Sequence, residues 1–359
     1  MASFKEMLFT PAEFANIAKI DKSTVSLLES KGLLKTLKKR IGNVDRKMVS
    51  LGEMQNYFHL LRAGRHGDRT QPTESEVMGV GAEAAGPQLP ASADPQTVAA
   101  ATGFAPVDPK FPVQMFYNVK GGTGKSTLTA QYVMRAAMYG LNVLALDLDG
   151  QGHLTVNLDI LDSHERPSIY DVLINDLPLE QAIMNVAPGL DLVPANLGLC
   201  NIEIPLNSKT RREYRLNEAI ETIKDRYDII VADTNPAASI LNMSMLVAAD
   251  LVNIVCATNP LSFHGMSLVM ATIEDMEREF RKKLETRIVP NMYDSREVIS
   301  QEVLGELKAQ FVEQCARTVI NRSADLNEAT KRRTTVWDVN PKGTAAQDIG
   351  ALADELLFG

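Results

Sequence analysis

One run of ten residues, N-V-K-G-G-T-G-K-S-T at 118–127, constrains this 359-residue chain more than any other. It follows an apolar run, V-Q-M-F-Y-N-V, and opens an amphipathic stretch from Lys125 to Tyr139 that closes at Gly140. A strand, a glycine-rich loop and a helix in that order make a cradle for phosphate oxygens. Gly121, Gly122 and Gly124 let the backbone curl around Thr123, so that its N–H groups converge on one point. Lys125 adds a point charge at the β/γ-phosphate positions. Ser126, followed by Thr127, offers a hydroxyl to Mg²⁺. The helix N-terminus adds its own partial positive charge. Val119 stands where such loops usually carry their first glycine, and a second lysine, Lys120, precedes Gly121.

Two further segments fit the cradle. Asp147-Leu148-Asp149-Gly150-Gln151 ends the apolar run N-V-L-A-L-D-L, and Asp233-Thr234-Asn235-Pro236 ends Y-D-I-I-V-A-D. Carboxylates at strand ends beside a phosphate cradle can hold the waters of Mg²⁺ and orient an attacking water. Ser126, Asp147 and Asp233 are therefore the candidate metal ligands. Lys120, Lys125 and Asp149 are the candidate catalytic groups. L-V-N-I-V-C-A-T and E-T-R-I-V-P-N-M read as further strands. Strands alternating with helices predict an α/β fold over 111–359: a doubly wound, mostly parallel sheet with helices on both faces.

The rest of the chain differs in composition. Residues 1–63 hold eleven Lys/Arg and six Asp/Glu, a surplus of five positive charges. The whole chain carries −8, which leaves −13 for the remainder. A basic head on an acidic body points to nucleic acid at the head. There, Thr10, Pro11 and Glu13 spell the start of a helix, and Phe14, Ile17 and Ala18 share one face. Ile20 to Lys22 reads as a turn. A second helix, capped by Ser23 or Asp21, offers Lys22, Ser23, Thr24 and Ser26 on its outer side, suited to the major groove. Lys38, Lys39 and Arg40 follow in a basic run, and a third helix is expected from Leu51 to Leu61. The segment is similar to the winged helix-turn-helix of MerR-type regulators. Residues 64–110, rich in Gly, Pro, Ala, Ser and Thr, read as a flexible linker. Cys200, Cys256 and Cys315 are far apart and set no metal or disulfide spacing. No apolar run of eighteen residues appears, and the first residues carry no secretory pattern, so a cytoplasmic protein without a membrane partner is expected.

Residues 111–359 resemble the ParA family of partition ATPases, related to MinD. The resemblance rests on K-G-G-T-G-K-S-T, the deviant Walker form of the loop, on D-L-D-x-Q, on D-T-x-P and on M-Y-D-S-R at 292–296. T-V-I-N-R-S-A-D-L-N-E-A and D-V-N-P-K-G-T-A-A-Q-D match as well. It implies ATP and Mg²⁺ as cofactors and a homodimer that sandwiches ATP, with Lys120 reaching the partner's phosphates. It further implies that Asp149 positions the hydrolytic water, that Asp233 supports Mg²⁺, and that Asn321 and Arg322 lie near the adenine. Arg296 matches a DNA-contacting arginine. Departures are Gly150, Asn235 and Asn321, each where relatives carry proline, and Asp325, where relatives often carry arginine. Lys331-Arg332-Arg333 and Arg278-Arg281-Lys282-Lys283 are alternative basic contacts. The implied activity is DNA segregation on the nucleoid, with hydrolysis stimulated by a ParB-like centromere-binding partner and the head repressing its own operon. A cargo-positioning ATPase and an ATP-responsive transcription regulator are the alternatives.

Overall fold

The five apolar runs of the body form adjacent parallel strands in the computed structural model, which describes residues 4–41, 44–63 and 108–359. They are β4 (Val113–Tyr117), β5 (Val143–Asp147), β8 (Ile229–Asp233), β9 (Leu251–Ala257) and β10 (Glu285–Asn291). β4, β5, β8 and β9 are buried along their whole length. That is why they read as continuous apolar runs rather than as alternation. The sheet has seven strands in the order β10-β9-β4-β8-β5-β7-β6. Its last two, β6 (Met184–Ala187) and β7 (Leu190–Val193), form an antiparallel hairpin around Pro188-Gly189. Pro290 sits within β10 because that strand is at the edge, where a missing N–H breaks no ladder.

Helices cover both faces of the sheet. On one face lie the helix that follows the glycine loop (Lys125–Met138) and the C-terminal helix (Thr344–Phe358), sharing a core through Tyr132, Ala136, Leu352 and Leu356. On the other, Ile240–Ala248 and Met266–Phe280 bury Leu241, Met245, Val269 and Ile273. All the parallel strands therefore end at one edge, and the phosphate cradle, Asp147 and Asp233 lie there together. Among the described residues, no helix is long and apolar enough to cross a membrane.

The head contains α1 (Pro11–Ile17), α2 (Lys22–Ser30) and α3 (Leu51–Ala63), with a small sheet in the order β1-β3-β2. Its strands are β1 (Leu8–Phe9), β2 (Leu37–Ile41) and β3 (Val44–Ser50). The expected capping box is formed: Glu13 N–H donates to Thr10 Oγ1 at 3.3 Å, and Thr10 N–H to Glu13 Oε2 at 2.7 Å. Asp21, not Ser23, is the cap position of α2, with no side-chain bond of its own.

The head is packed on the body. Its apolar residues, among them Phe4, Phe14, Leu28, Val49 and Phe58, join the same core as Tyr132, Tyr139 and Leu352. Gln55, buried in α3, donates to the carbonyls of Ala137 (2.9 Å) and Pro188 (2.7 Å). Arg62 donates to both oxygens of Asp228, at 3.0 and 2.6 Å. The Phe58 and Tyr139 rings meet edge to face at 5.2 Å. Lys19 Nζ lies 2.6 Å from Asp354. Gly140 and Gly189 hold positive φ, and a Cβ on either would press on Gln55. Of the linker expected over 64–110, residues 64–107 lie outside the described residues.

Candidate functional site: a phosphate cradle at the carboxyl edge of the sheet

The loop is pinned before any ligand arrives. Asn118, at the end of β4, donates from its amide to Val255 O (2.8 Å) and accepts Lys120 N–H (2.9 Å). Asn291, at the end of β10, donates to Thr123 O at 2.7 Å. Gly124 has φ +92°, and a Cβ there would collide with the Asn291 amide. Three neighbouring strands thus hold the curl in place. Asn118 and Asn291 carry no phosphate chemistry of their own, so their part is not visible in the sequence.

Lys125 is buried, and its ammonium donates to Lys120 O at 3.1 Å. Burial lowers its pKa, partly offset by Asp233 and Asp149. The loop residues Gly121 to Thr127 line a cavity of about 420 Å³ together with Asp149, Gln151, His153, Asn157, Pro236 and Thr330. That volume and its polar loop amides suit a phosphorylated ligand of ordinary size. Lys120 is half-buried beside this cavity.

Asp147 and Asp233 are direct neighbours across β5 and β8 and are wholly inaccessible. Both oxygens of Asp147 are engaged. Oδ2 accepts the Thr155 N–H (2.8 Å) and hydroxyl (2.6 Å), and Oδ1 accepts Asp149 N–H (3.2 Å). Burial raises its pKa to about 6, against the pull of those bonds. Asp233 is raised by burial and then by the charge of Asp147, while Ser126 and Lys125 oppose the shift. Its Oδ2 is buried without a partner. An orphaned carboxylate oxygen beside a serine hydroxyl is an incomplete cation site, and a hard divalent ion suits an all-oxygen donor set. Asp147 stands one step back, holding the turn that carries Asp149.

Gly150 has a local cause. A Cβ there would lie 2.5 Å from Cys200 Sγ and 2.8 Å from Cys200 N. The segment after β7 presses against the Asp149 turn and leaves no room for a side chain.

Asn321 and Arg322 are not in the cavity wall. Asn321 is held by Asp348 through its N–H (3.0 Å) and its amide (2.9 Å), and Arg322 is exposed. Thr330, which the sequence did not single out, lines the cavity instead. In the head, Lys22, Ser23 and Ser26 are exposed on α2 and Thr24 is half-buried. Lys38, Lys39 and Arg40 are exposed on β2. In the ribbon register Lys38 faces Lys47 and Lys39 faces Arg46, and Arg40 faces Asp45. Arg46 becomes a candidate only once that register is known. In the body, Arg296 is 86% exposed and grips Asp294 through Nε (2.9 Å) and Nη2 (2.6 Å), holding that carboxyl well below the usual range. The other basic runs are partly engaged: Arg278 with Asp275, Lys282 with Val247 O, and Arg332 with Glu328.

Comparison with known proteins agrees with this geometry. An AAA domain family (AAA_31) matches residues 113–286. The chain is 32% identical over 246 residues to the cell division protein PomZ of Myxococcus xanthus, covering 68% of this chain and 77% of PomZ. It is also 32% identical over 244 residues to the chromosome partitioning protein ParA of Caulobacter vibrioides, covering 67% of this chain and 91% of the relative. Among solved structures, cobyrinic acid a,c-diamide synthase from Mycobacterium smegmatis with bound ADP and magnesium superposes with a TM-score of 0.59. It is 27% identical and covers 67% of this chain and 92% of that one. Cradle and paired strand-end aspartates stand beside extended similarity to a chromosome partitioning protein and a cell division protein, and the chain belongs to the ParA family of P-loop ATPases.

Proposed function

We propose that this chain is a DNA-segregation ATPase that dimerises on ATP with Mg²⁺, binds DNA without sequence preference through the dimer, and binds an operator through its head. Hydrolysis is stimulated by a ParB-like centromere-binding partner. The observation that carries the DNA reading is the ribbon of the head. Like charges placed directly opposite one another destabilise a strand pair. Lys39 facing Arg46 forms such a pair, whereas Lys47, opposite Lys38, is held by Glu29 at 2.8 and 2.9 Å; Lys38, Lys39, Arg40 and Arg46 are all exposed. A polyanion relieves that repulsion.

In the body, the loop amides and Lys125 receive the phosphates. Ser126 and the free oxygen of Asp233 hold the metal. When bound, Mg²⁺ neutralises charge on the transferring phosphoryl group. Asp147 fixes the turn, and Asp149, on the cavity wall, orients water towards the γ-phosphate position. Lys120, outside the minimal cradle, acts on the nucleotide of a second copy. Asn321 and Arg322 approach the adenine only if the segment after β10 shifts on binding. Arg296 is the exposed body cation proposed to meet DNA.

A second reading, positioning of a protein cargo over the nucleoid, is favoured by the similarity to PomZ, whose name is that of a cell division protein. The test measures ATP turnover of the full chain alone, with DNA, and with DNA plus the centromere-binding protein. Binding isotherms on upstream and random DNA, with and without ATP, accompany it. Segregation requires turnover that rises only with both additions. Turnover indifferent to DNA and partner, with operator binding intact, would leave a transcription regulator that uses ATP as a ligand.

A further inference from the structure

The segment that leaves β5 is closed into a ring by one carboxylate and one hydroxyl. Asp147 Oδ1 accepts Asp149 N–H at 3.2 Å. The Asp149 carbonyl accepts Gly152 N–H at 2.8 Å, and its side-chain Oδ1 accepts Gln151 N–H at 3.0 Å. Gly152, with φ +66°, starts the short helix His153–Asn157. On that helix Thr155 returns to the start of the ring. Its hydroxyl and its N–H both donate to Asp147 Oδ2, at 2.6 and 2.8 Å. The same hydroxyl accepts Ala195 N–H at 3.0 Å, just past the end of β7. Thr155 and Asp147 are both wholly inaccessible. A hydroxyl has one proton to give and can accept in turn, and this one does both.

The ring carries one wall of the nucleotide cavity, because Asp149, Gln151 and His153 lie within it and line that cavity. The donors to the phosphates, Lys125 and the loop amides, are pinned separately by Asn118 and Asn291. Binding and water positioning therefore rest on different supports. We infer that Thr155 is a positioning residue for ATP hydrolysis: through Asp147 it sets the reach of Asp149, and through Ala195 it anchors the ring to the sheet. The inference rests on the part proposed above for Asp149. Thr155 does not line the cavity itself, so it acts through Asp147. Without its hydroxyl, the bonds to Asp147 Oδ2 and from Ala195 N–H that close the ring are lost together. A displacement of about 1 Å at a reacting group can cost on the order of a hundredfold in rate.

The experiment uses the full chain with Mg²⁺. Phosphate release over a range of ATP concentrations gives kcat and KM, and titration with a fluorescent ATP analogue gives affinity. The variants are Thr155→Val, which keeps the shape and removes the hydroxyl, and Thr155→Ser, which keeps the hydroxyl. Asp149→Ala accompanies them. The control is Ser244→Ala, at an equally inaccessible hydroxyl that donates to Arg212 O at 2.8 Å, away from the cavity. Thr155→Val should lower kcat about ten- to a hundredfold with analogue affinity unchanged. Thr155→Ser should restore most of the turnover, and the control should turn over as wild type. If Asp149→Ala is slow but Thr155→Val turns over as wild type, the inference is overturned. It is overturned equally if Thr155→Ser is as slow as Thr155→Val, or if Thr155→Val loses analogue affinity along with rate. A control as slow as Thr155→Val would reduce the effect to lost stability and overturn it too. If Asp149→Ala itself turns over as wild type, the part proposed for Asp149 falls first, and the inference with it.

Discussion

Replacing Arg62 by alanine tests whether the head is part of the ATPase. The guanidinium bridges Asp228 through two bonds, at 3.0 and 2.6 Å, and reaches Asp108 at 2.8 Å. Arg62 and Asp228 have side chains 15% and 21% exposed, so the pair is mostly shielded from water. A charge-assisted bond contributes about 1.5–3 kcal/mol net, and the two bonds share one carboxylate, so they are not additive. Asp108 is over half exposed and adds less than about 1 kcal/mol. Among the described residues, the Asp228 carboxylate keeps the Asn142 N–H, at 2.7 Å, when Arg62 is lost. The loss should be about 2–4 kcal/mol. At roughly 2 °C per kcal/mol for a chain of this size, the melting temperature should fall by roughly 4–8 °C. Calorimetry of the full chain, with amide exchange read in α3 and in residues 137–142, measures it. Asp228→Ala should cost a similar amount, and the double variant little more than either single one. An Arg62→Ala protein that melts as wild type, with unchanged exchange in α3, would show that the head is merely tethered.

Further outcomes follow from the site. Lys125→Ala should lose most affinity for a fluorescent ATP analogue in equilibrium titration, because its ammonium is the one that, among the described residues, donates into the loop at that point. Asp149→Ala should bind the analogue normally but turn over ATP at least about a hundredfold more slowly, in a phosphate-release assay. Gly150→Ala should destabilise the protein by about 1–3 kcal/mol in urea unfolding. Cys200→Ala should rescue it only in part, since Cys200 N and Cα also crowd that position. Lys39→Ala with Arg46→Ala should leave the head folded, yet weaken DNA binding and reduce the slope of log affinity against log salt by about 2.

Much of the body was legible because its signals are local. A fully buried parallel strand is a continuous apolar run, and the cradle must curl between such a strand and a helix. The hairpin of β6 and β7 was missed for the opposite reason. Its strands are four residues each, separated by Pro188-Gly189, and gain their place from the pairing of β7 with β5 and of β6 with β7. Asn118, Asn291 and Thr330 were missed because their roles are to pin or flank the loop from positions distant in sequence. The attachment of the head was also out of reach. A linker poor in large apolar residues suggests independence, but Gln55 and Phe58 look like ordinary helix residues until Gly140 and Gly189 are placed beneath them.

The packing of the head has a consequence for solubility. The 3-10 turn Phe4–Glu6 lies against the edge strand β6, and Phe4 and Val186 border a common apolar hollow. An open sheet edge is a template for pairing with another chain, and covering it is a common protection. A chain trimmed to the ATPase portion would expose β6 and the apolar side chains beneath the head, and would self-associate through them. Pelleting of such a fragment with DNA would then report aggregation as readily as affinity, so the DNA contact proposed for the body is better tested by point substitutions at Arg296 in the intact chain.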